Sequence, residues 1–329
     1  MRTRRTVAIV AETGRAIGHG HWVRARCLAG VLEERHPDTR VVLLCVGDVD
    51  EIEPSLHAGA ARVPTPTDVA LAHAVLAFGK AERPTHWVFD LAGYSDARVA
   101  MVASVNGHRT SFGLPLDKSV GDVIVNVAEA GDPPVTHERI GGIGGIEVFR
   151  GPEHVFLAPD VLAARGSHEP DGRTTLLVVF GGTDPTSLIL DALHGLRASA
   201  RPVVAVCDER HPAHATALAL ARSNPNACIE DRFEDAAAFL SRGSLLITAP
   251  GNLLFEGACV GIPVLCFCQN DDQWEDFRHC TDVHPRAAIG RIAELAETRL
   301  ERERTADTRL AGERIGAGTP ALIDLILRS

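Results

Sequence analysis

Two histidines stand among glycines in Ile17-Gly18-His19-Gly20-His21-Trp22-Val23-Arg24, where a short apolar run gives way to an amphipathic segment. Gly18 and Gly20 let the backbone turn tightly and come close to a ligand. His21 falls at the start of the helix that follows, where the helix terminus disfavours positive charge. A neutral imidazole displayed there suits a general base. A tight turn whose histidine merely ends the helix needs the same residues, so the spacing alone leaves both readings open. His19 alternates with His21 and is expected to line the loop or face solvent. A metal pair is not expected, because no acidic or cysteine partner follows at a matching interval.

Two further stretches place glycines where an anion could bind. In VVFGGTDPTSL (178–188) a buried strand ends in Gly181 and Gly182, and Thr183 and Asp184 precede Pro185. The order matches a glycine turn, a side-chain cap and a proline at the first helical position. Backbone N–H groups at such a terminus can hold phosphate. An Asp in the cap would occupy part of that site itself. In TAPGNLLFEGACVGIPVL (248–265) a strand ends at Gly251, and a helix follows with Asn252 at its start and Glu256 in its first turns. A carboxylate beside a phosphate-binding terminus could accept hydrogen bonds from ribose hydroxyls. Simple pairing of an acid with the helix dipole explains the same residue. FRGPEHVFLAPDVL (149–162) adds a Gly-Pro turn and a short apolar segment.

These loops need strands and helices to carry them, and the chain supplies both in alternation. Apolar runs at 6–12, 41–47, 85–92, 108–114, 122–128 and 146–151, then at 174–182, 201–208, 244–252 and 262–268, read as strands. Amphipathic stretches lie between them: about His21 to Arg35, from about Pro185, from about His211 and near Leu254. This is the pattern of an α/β protein with mostly parallel sheets. The polar, aperiodic ARGSHEPDGR (164–173) reads as a linker. The expected organisation is therefore an N-terminal Rossmann-like domain over 1–163, a linker over 164–173 and a C-terminal Rossmann-like domain over 174–329 whose last helix can pack back on the first domain. Two such sheets would face each other across a cleft, with ligands at the carboxyl ends of the strands. From about Arg286 the chain reads as helix, and Thr319-Pro320 opens a last one.

Composition narrows the partners. The chain has 329 residues, 45% hydrophobic and 23% charged, with a formal net charge of −10. That balance argues against nucleic acid, which needs a basic face. No apolar run reaches the length of a membrane span. Eight cysteines are scattered mostly within apolar runs, the usage expected of reduced thiols in a cytoplasmic protein.

Taken in order, the motifs resemble the UDP-sugar hydrolase family of pseudaminic acid biosynthesis and its relatives in surface-polysaccharide and flagellin-glycan pathways. That family shares the GT-B fold with the glycosyltransferase that makes lipid II. Its Gly-x-Gly-His-x-x-Arg loop is matched by Gly18, Gly20, His21 and Arg24. Its Asp-ended strand resembles VFD at 88–90, and its Gly-Gly-x-Asp-Pro turn matches Gly181, Gly182, Asp184 and Pro185. The Gly-x-x-x-x-Glu helix matches Gly251 and Glu256, and a later pair resembles Asp272 and Gln273. Asn252 stands where the family often has Thr or Ser, and Ala92 stands two residues after Asp90 where an aromatic is usual. The resemblance implies a GT-B-like fold and a nucleotide-sugar, most simply a UDP-sugar, held mainly by the C-terminal domain. It implies that His21 activates water at the anomeric carbon and that the nucleoside diphosphate and sugar are released with inversion. Backbone amides near Gly251 and Asn252 would hold phosphate and Glu256 the ribose, with no metal or other cofactor required. Glycosyl transfer on the same scaffold, with His21 deprotonating an acceptor hydroxyl, is the alternative. A non-catalytic nucleotide-sugar-binding protein is the third reading.

Overall fold

The computed structural model describes residues 5–14, 17–47, 61–63, 67–118, 120–128, 137–140, 145–169, 172–181, 183–280, 282–303 and 314–327. The chain divides into two compact units, Met1–Phe156 with Gly316–Ser329, and Leu157–Ile315. Among the described residues no helix is long and apolar enough to cross a membrane.

Unit 1 carries strands β1 (Thr6–Thr13), β2 (Arg40–Gly47), β3 (Ala61–Val63), β4 (His86–Asp90), β5 (His108–Phe112), β6 (Val123–Asn126), β7 (His137–Ile140) and β8 (Ile146–Arg150). They form one sheet in the order β3-β2-β1-β4-β5-β6-β8-β7, parallel throughout except for the β7–β8 pair. Every residue of β1 is buried, which is why a central parallel strand reads as an unbroken apolar run rather than an alternating one. Helices α1 (Gly20–Arg35), α2 (Asp68–Glu82) and α3 (Asp96–Ser104) belong to this unit. On one face Trp22, Leu28 and Leu32 of α1 pack with Ile9, Leu43 and Val88. On the other face Leu71, Val75 and Met101 pack with Trp87 and Phe89.

Unit 2 runs through α4 (Pro159–Ala163), β9 (Leu176–Val179), α5 (Leu188–Gly195), β10 (Val203–Val206), α6 (His214–Arg222), β11 (Ala227–Glu230) and α7 (Ala236–Leu240). It continues through β12 (Leu245–Thr248), α8 (Asn252–Val260), β13 (Val264–Phe267), α9 (Asp271–Phe277), β14 (Val283–His284) and α10 (Ile292–Glu303). Its six-stranded sheet has the order β11-β10-β9-β12-β13-β14, parallel throughout. The last helix, α11 (Thr319–Ile326), returns to unit 1, where Leu322, Ile323 and Ile326 join the core beneath α1.

The fold is the α/β architecture of mostly parallel sheets expected from the alternating pattern. Particular boundaries differ. Residues 164–168 are not a free linker but part of unit 2: the N–H of Gly166 and of His168 bond to the carbonyls of Cys259 and Val260, and buried His168 reaches the Gly243 carbonyl at 2.9 Å. Helix α5 begins at Leu188, not at Pro185, because Asp184 and Ser187 both take positive φ and hold the chain in a turn first. Strands β3, β7, β11 and β14, which the sequence reading did not include, span two to four residues each. All four sit at or toward sheet edges, where burial leaves little apolar pattern to read.

In both sheets the chain leaves a central strand to one side and later returns to the other. In unit 1 this happens between β1 and β4, in unit 2 between β9 and β12. Carboxyl-end loops at such a reversal are where open α/β sheets bind ligands.

Candidate active site

At the carboxyl end of β1, the loop to α1 closes on itself. The N–H of Gly18 donates to the Gly14 carbonyl at 2.7 Å, and Gly18 sits at φ +82°, a conformation that glycine adopts without a Cβ penalty. His19 precedes the helix, and its Nδ1 lies 2.7 Å from the Thr13 hydroxyl. Gly20 opens α1, exposed, and His21 is the second helical residue. Register puts Ala11 of β1 beside Asp90, the last residue of β4, so the strand end faces the first turn of α1.

His21 and Asp90 meet there. His21 Nδ1 lies 2.6 Å from Asp90 Oδ1, and Arg24 donates Nε to Oδ2 at 2.6 Å and Nη2 to Oδ1 at 2.5 Å. Asp90 is 1% exposed, while the His21 side chain keeps 24% of its surface accessible. An ionised carboxylate only accepts, so His21 Nδ1 donates, and in the neutral ring Nε2 carries the lone pair. Because Nδ1 keeps its proton and donates it in the hydrogen bond to Asp90, it has no lone pair for Arg24 Nη2, which stands 3.2 Å away beside the shared acceptor. Burial alone would raise the Asp90 carboxyl. The Arg24 charge, then His21 and the hydrogen bonds from both, overcome that and hold it below the ordinary carboxylate range. Arg24 itself is desolvated, which would lower it, but the Asp90 charge raises it above its usual value, and its guanidinium lies over the Phe112 ring at 5.3 Å. A helix N-terminus, a buried anion and a buried cation thus fix one imidazole through its Nδ1. Such an arrangement can orient a general base.

Unit 2 brings together a different set. Gly181 is an exposed turn residue after β9, and Gly182 lies outside the described residues. Asp184 is buried and faces the N-terminus of α5: Oδ1 accepts from Leu188 N and Oδ2 from Ile189 N, each at 2.9 Å. The anion site expected at this terminus is therefore filled by the protein's own carboxylate. Burial raises the Asp184 carboxyl, and the two backbone bonds pull against that rise. Asp184→Ala is expected to cost about 1–2 kcal/mol, the usual loss for a cap, read as a lowered urea midpoint.

The terminus of α8 differs. Its cap residue, Gly251, has no side chain to bond the helix, and a Cβ placed there would meet no atom within 4 Å. Asn252 opens the helix, and Glu256 follows one turn in, 8% exposed. Burial, with the Asp160 charge adding to it, pushes the Glu256 carboxyl up to about 7. Among the loops beside it, Gln273 is committed to backbone: its Oε1 accepts from Gln269 N at 2.8 Å and its Nε2 donates to the Pro250 carbonyl at 3.3 Å. Gln269 Nε2 in turn donates to the Phe180 carbonyl at 3.0 Å. Asp272 is exposed on α9. The structure thus groups His21, Arg24, Gly18 and Gly20 in unit 1 and gathers Gly251, Asn252, Glu256 and Gln273 at the β12–α8 end of unit 2. Asp184 it assigns to capping. Asp90 was legible as an acid ending an apolar strand, but its bond to a residue 69 positions earlier was not. Among the described residues no cluster of three or more His, Cys, Asp or Glu side chains is arranged to hold a metal ion.

No family model matches the sequence. The chain is 24% identical over 288 residues to the spore coat polysaccharide biosynthesis protein SpsG of Bacillus subtilis strain 168, across 81% of this chain and 78% of SpsG. MurG of Acinetobacter baumannii matches with a TM-score of 0.62 at 14% identity, covering 98% of this chain and 99% of MurG. A UDP-glucosyltransferase of Polygonum tinctorium, solved with 3,4-dichloroaniline, matches with a TM-score of 0.63 at 11% identity over 100% of both chains. Two α/β units with mostly parallel sheets, similar over nearly their whole length to these proteins, give the chain the GT-B-like fold of the glycosyltransferases.

Proposed function

We propose that the chain transfers a sugar from a nucleotide-activated donor, a UDP-sugar, to the hydroxyl of a soluble acceptor, with His21 as general base. The observation that carries the role of His21 as base is the 2.6 Å bond between its Nδ1 and buried Asp90, which leaves Nε2 to receive a proton. In the reaction the acceptor O–H gives its proton to Nε2 while its oxygen attacks the anomeric carbon. The bond from that carbon to the diphosphate oxygen breaks, and the diphosphate leaves with the electron pair. Attack opposite the leaving group inverts the centre. Asp90 is a positioning residue that holds the tautomer and stabilises the imidazolium as it forms. Arg24, turned to Asp90 by two hydrogen bonds, secures that carboxylate rather than the donor.

The nucleotide belongs in this reading to unit 2. Backbone amides at Gly251 and Asn252 would face the diphosphate at the start of α8, and Glu256 would accept from the ribose hydroxyls. The loop at Gly181 borders the same sheet end. Gln273 fixes the Pro250 carbonyl next to Gly251, and Asp272, exposed on the same helix, would be left for the sugar.

The motif order favours water as the nucleophile. A named UDP-glucosyltransferase among the structural matches, and a polysaccharide biosynthesis protein among the sequence matches, support transfer over hydrolysis. Purified protein incubated with a panel of UDP-sugars should release UDP only when soluble acceptors are added, with a product heavier than the acceptor by one sugar residue. Equal release without acceptor, with ¹⁸O from labelled water in the free sugar, would establish hydrolysis instead.

A further inference from the structure

A second charge cluster, built on buried Glu12, lies one residue along β1 from the Ala11–Asp90 pairing and takes no part in the chemistry above. Glu12, one residue before the end of β1 and 5% exposed, accepts three hydrogen bonds. Arg98 of α3 donates Nη2 to Oε1 at 2.8 Å and Nη1 to Oε2 at 2.9 Å, and Ala92 N donates to Oε2 at 2.6 Å. The same guanidinium donates Nη1 to the Gly93 carbonyl at 2.9 Å and Nε to Asp68 Oδ1, at the start of α2, at 2.7 Å. Ser95, the cap of α3, donates its hydroxyl to Asp68 Oδ2 at 2.5 Å.

One arginine therefore joins the end of β1, the first turns of α2 and α3, and the turn that follows β4. That turn starts at Asp90. Between buried Leu91 and Tyr94, which anchor the turn in the core, Ala92 and Gly93 are exposed. The Ala92 N–H donates to Glu12 and the Gly93 carbonyl accepts from Arg98, and these bonds fix the middle of the turn. Leaving β4 in another direction would rotate the Asp90 carboxylate away from His21, whose bond at 2.6 Å tolerates little displacement. The bonds to loop backbone also distinguish this cluster from an ion pair that only fills a core.

We infer that Glu12 and Arg98 are positioning residues that hold Asp90, and through it the His21 tautomer. This rests on the reading of His21 as the base. Arg98→Lys keeps a positive charge for Glu12, but one ammonium cannot span Glu12, Asp68 and the Gly93 carbonyl together. A double variant, Glu12→Gln with Arg98→Gln, removes both charges and leaves neither buried alone. Nitrogen-15 NMR of the imidazoles in the full chain reads the tautomer directly, and turnover of a UDP-sugar with acceptor reads the consequence. The wild type is expected to hold His21 as the Nδ1–H form. In both variants the balance should shift toward Nε2–H, and kcat should fall by about ten- to a hundredfold with KM for the donor little changed, as a small misplacement of a reacting group does. Folded variants with the wild-type tautomer and kcat, differing only in melting temperature, would overturn the inference. A shifted tautomer in variants that retain kcat, together with an active His21→Ala, would support the positioning role and overturn the base reading.

Discussion

His21→Ala is expected to lower turnover of a UDP-sugar by about 10²–10⁴-fold, the range for losing a general base, while affinity for UDP stays near the wild-type value. The two quantities separate because they are assigned to different units. His21 belongs to unit 1, whereas the groups proposed to hold the nucleotide lie at α8 of unit 2. The variant should also fold. Removing the imidazole deletes one of the bonds to Asp90, but Arg24 Nε and Nη2 still satisfy that buried carboxylate. Asp90→Asn is a harsher change. It disturbs the tautomer and also strips the desolvated Arg24 of its counter-charge, a loss worth about 3–5 kcal/mol for a buried pair. Its failure to turn over would therefore be ambiguous, and His21→Ala is the cleaner test. Diphosphate release at saturating donor, set beside calorimetric titration with UDP, checks both halves. Full turnover in His21→Ala would place the base elsewhere, and loss of UDP affinity with turnover would make His21 a ligand for the nucleotide.

Much of this arrangement was legible one element at a time. TVAIVAE announced a buried strand because both its faces are covered, and the glycines at 18 and 251 marked the loops that follow two central strands. What sequence could not supply was every link made across elements. Asp90 ends an apolar strand in plain view, yet nothing local ties it to His21. The two meet because β1 and β4 are neighbours in the sheet, although β2, β3 and α2 lie between them in sequence. Glu12 and Arg98 escaped notice for the same reason: they are 86 residues apart and joined by a bidentate contact. At Asp184 the sequence points to a cap for a helix starting at Pro185, whereas the helix starts at Leu188 with Ser187 at its cap position. Positive φ at Asp184 and Ser187 delays the helix, so the carboxylate reaches Leu188 and Ile189 and fills the site where an anion was expected. The stretch at 164–168 looked like a linker because its side chains are polar and aperiodic. Its attachment to unit 2 runs largely through backbone N–H groups, which leave no trace in residue type.

Glu256 offers a measurement that joins stability to binding. Its carboxyl is pushed from an ordinary 4.5 up to about 7 by burial and by Asp160, so the folded chain binds this proton more tightly than the unfolded one. The stability that goes with the protonated form is complete below about pH 4.5 and is lost as pH rises through about 7. At about 1.4 kcal/mol for each tenfold change in proton affinity, the loss amounts to about 3 kcal/mol by pH 8.5. Glu256→Gln carries no proton to lose. At pH 8.5 it should be more stable than the wild type by up to about that amount, and near pH 4 the two should unfold together. Urea denaturation at the two pH values tests this, and a difference that does not change with pH would show that the buried carboxyl is not penalised. Ribose hydroxyls that donate to Glu256 would select its ionised form. Affinity of the wild type for UDP should then climb as pH rises from 6 to 8, and Glu256→Gln should bind more weakly at pH 8 with a flat profile. Ribose donors at Glu256 would offset the cost of its burial at high pH. Wild-type affinity that is level across this range, matched by the variant, would remove Glu256 from the nucleotide site and leave its burial without that explanation.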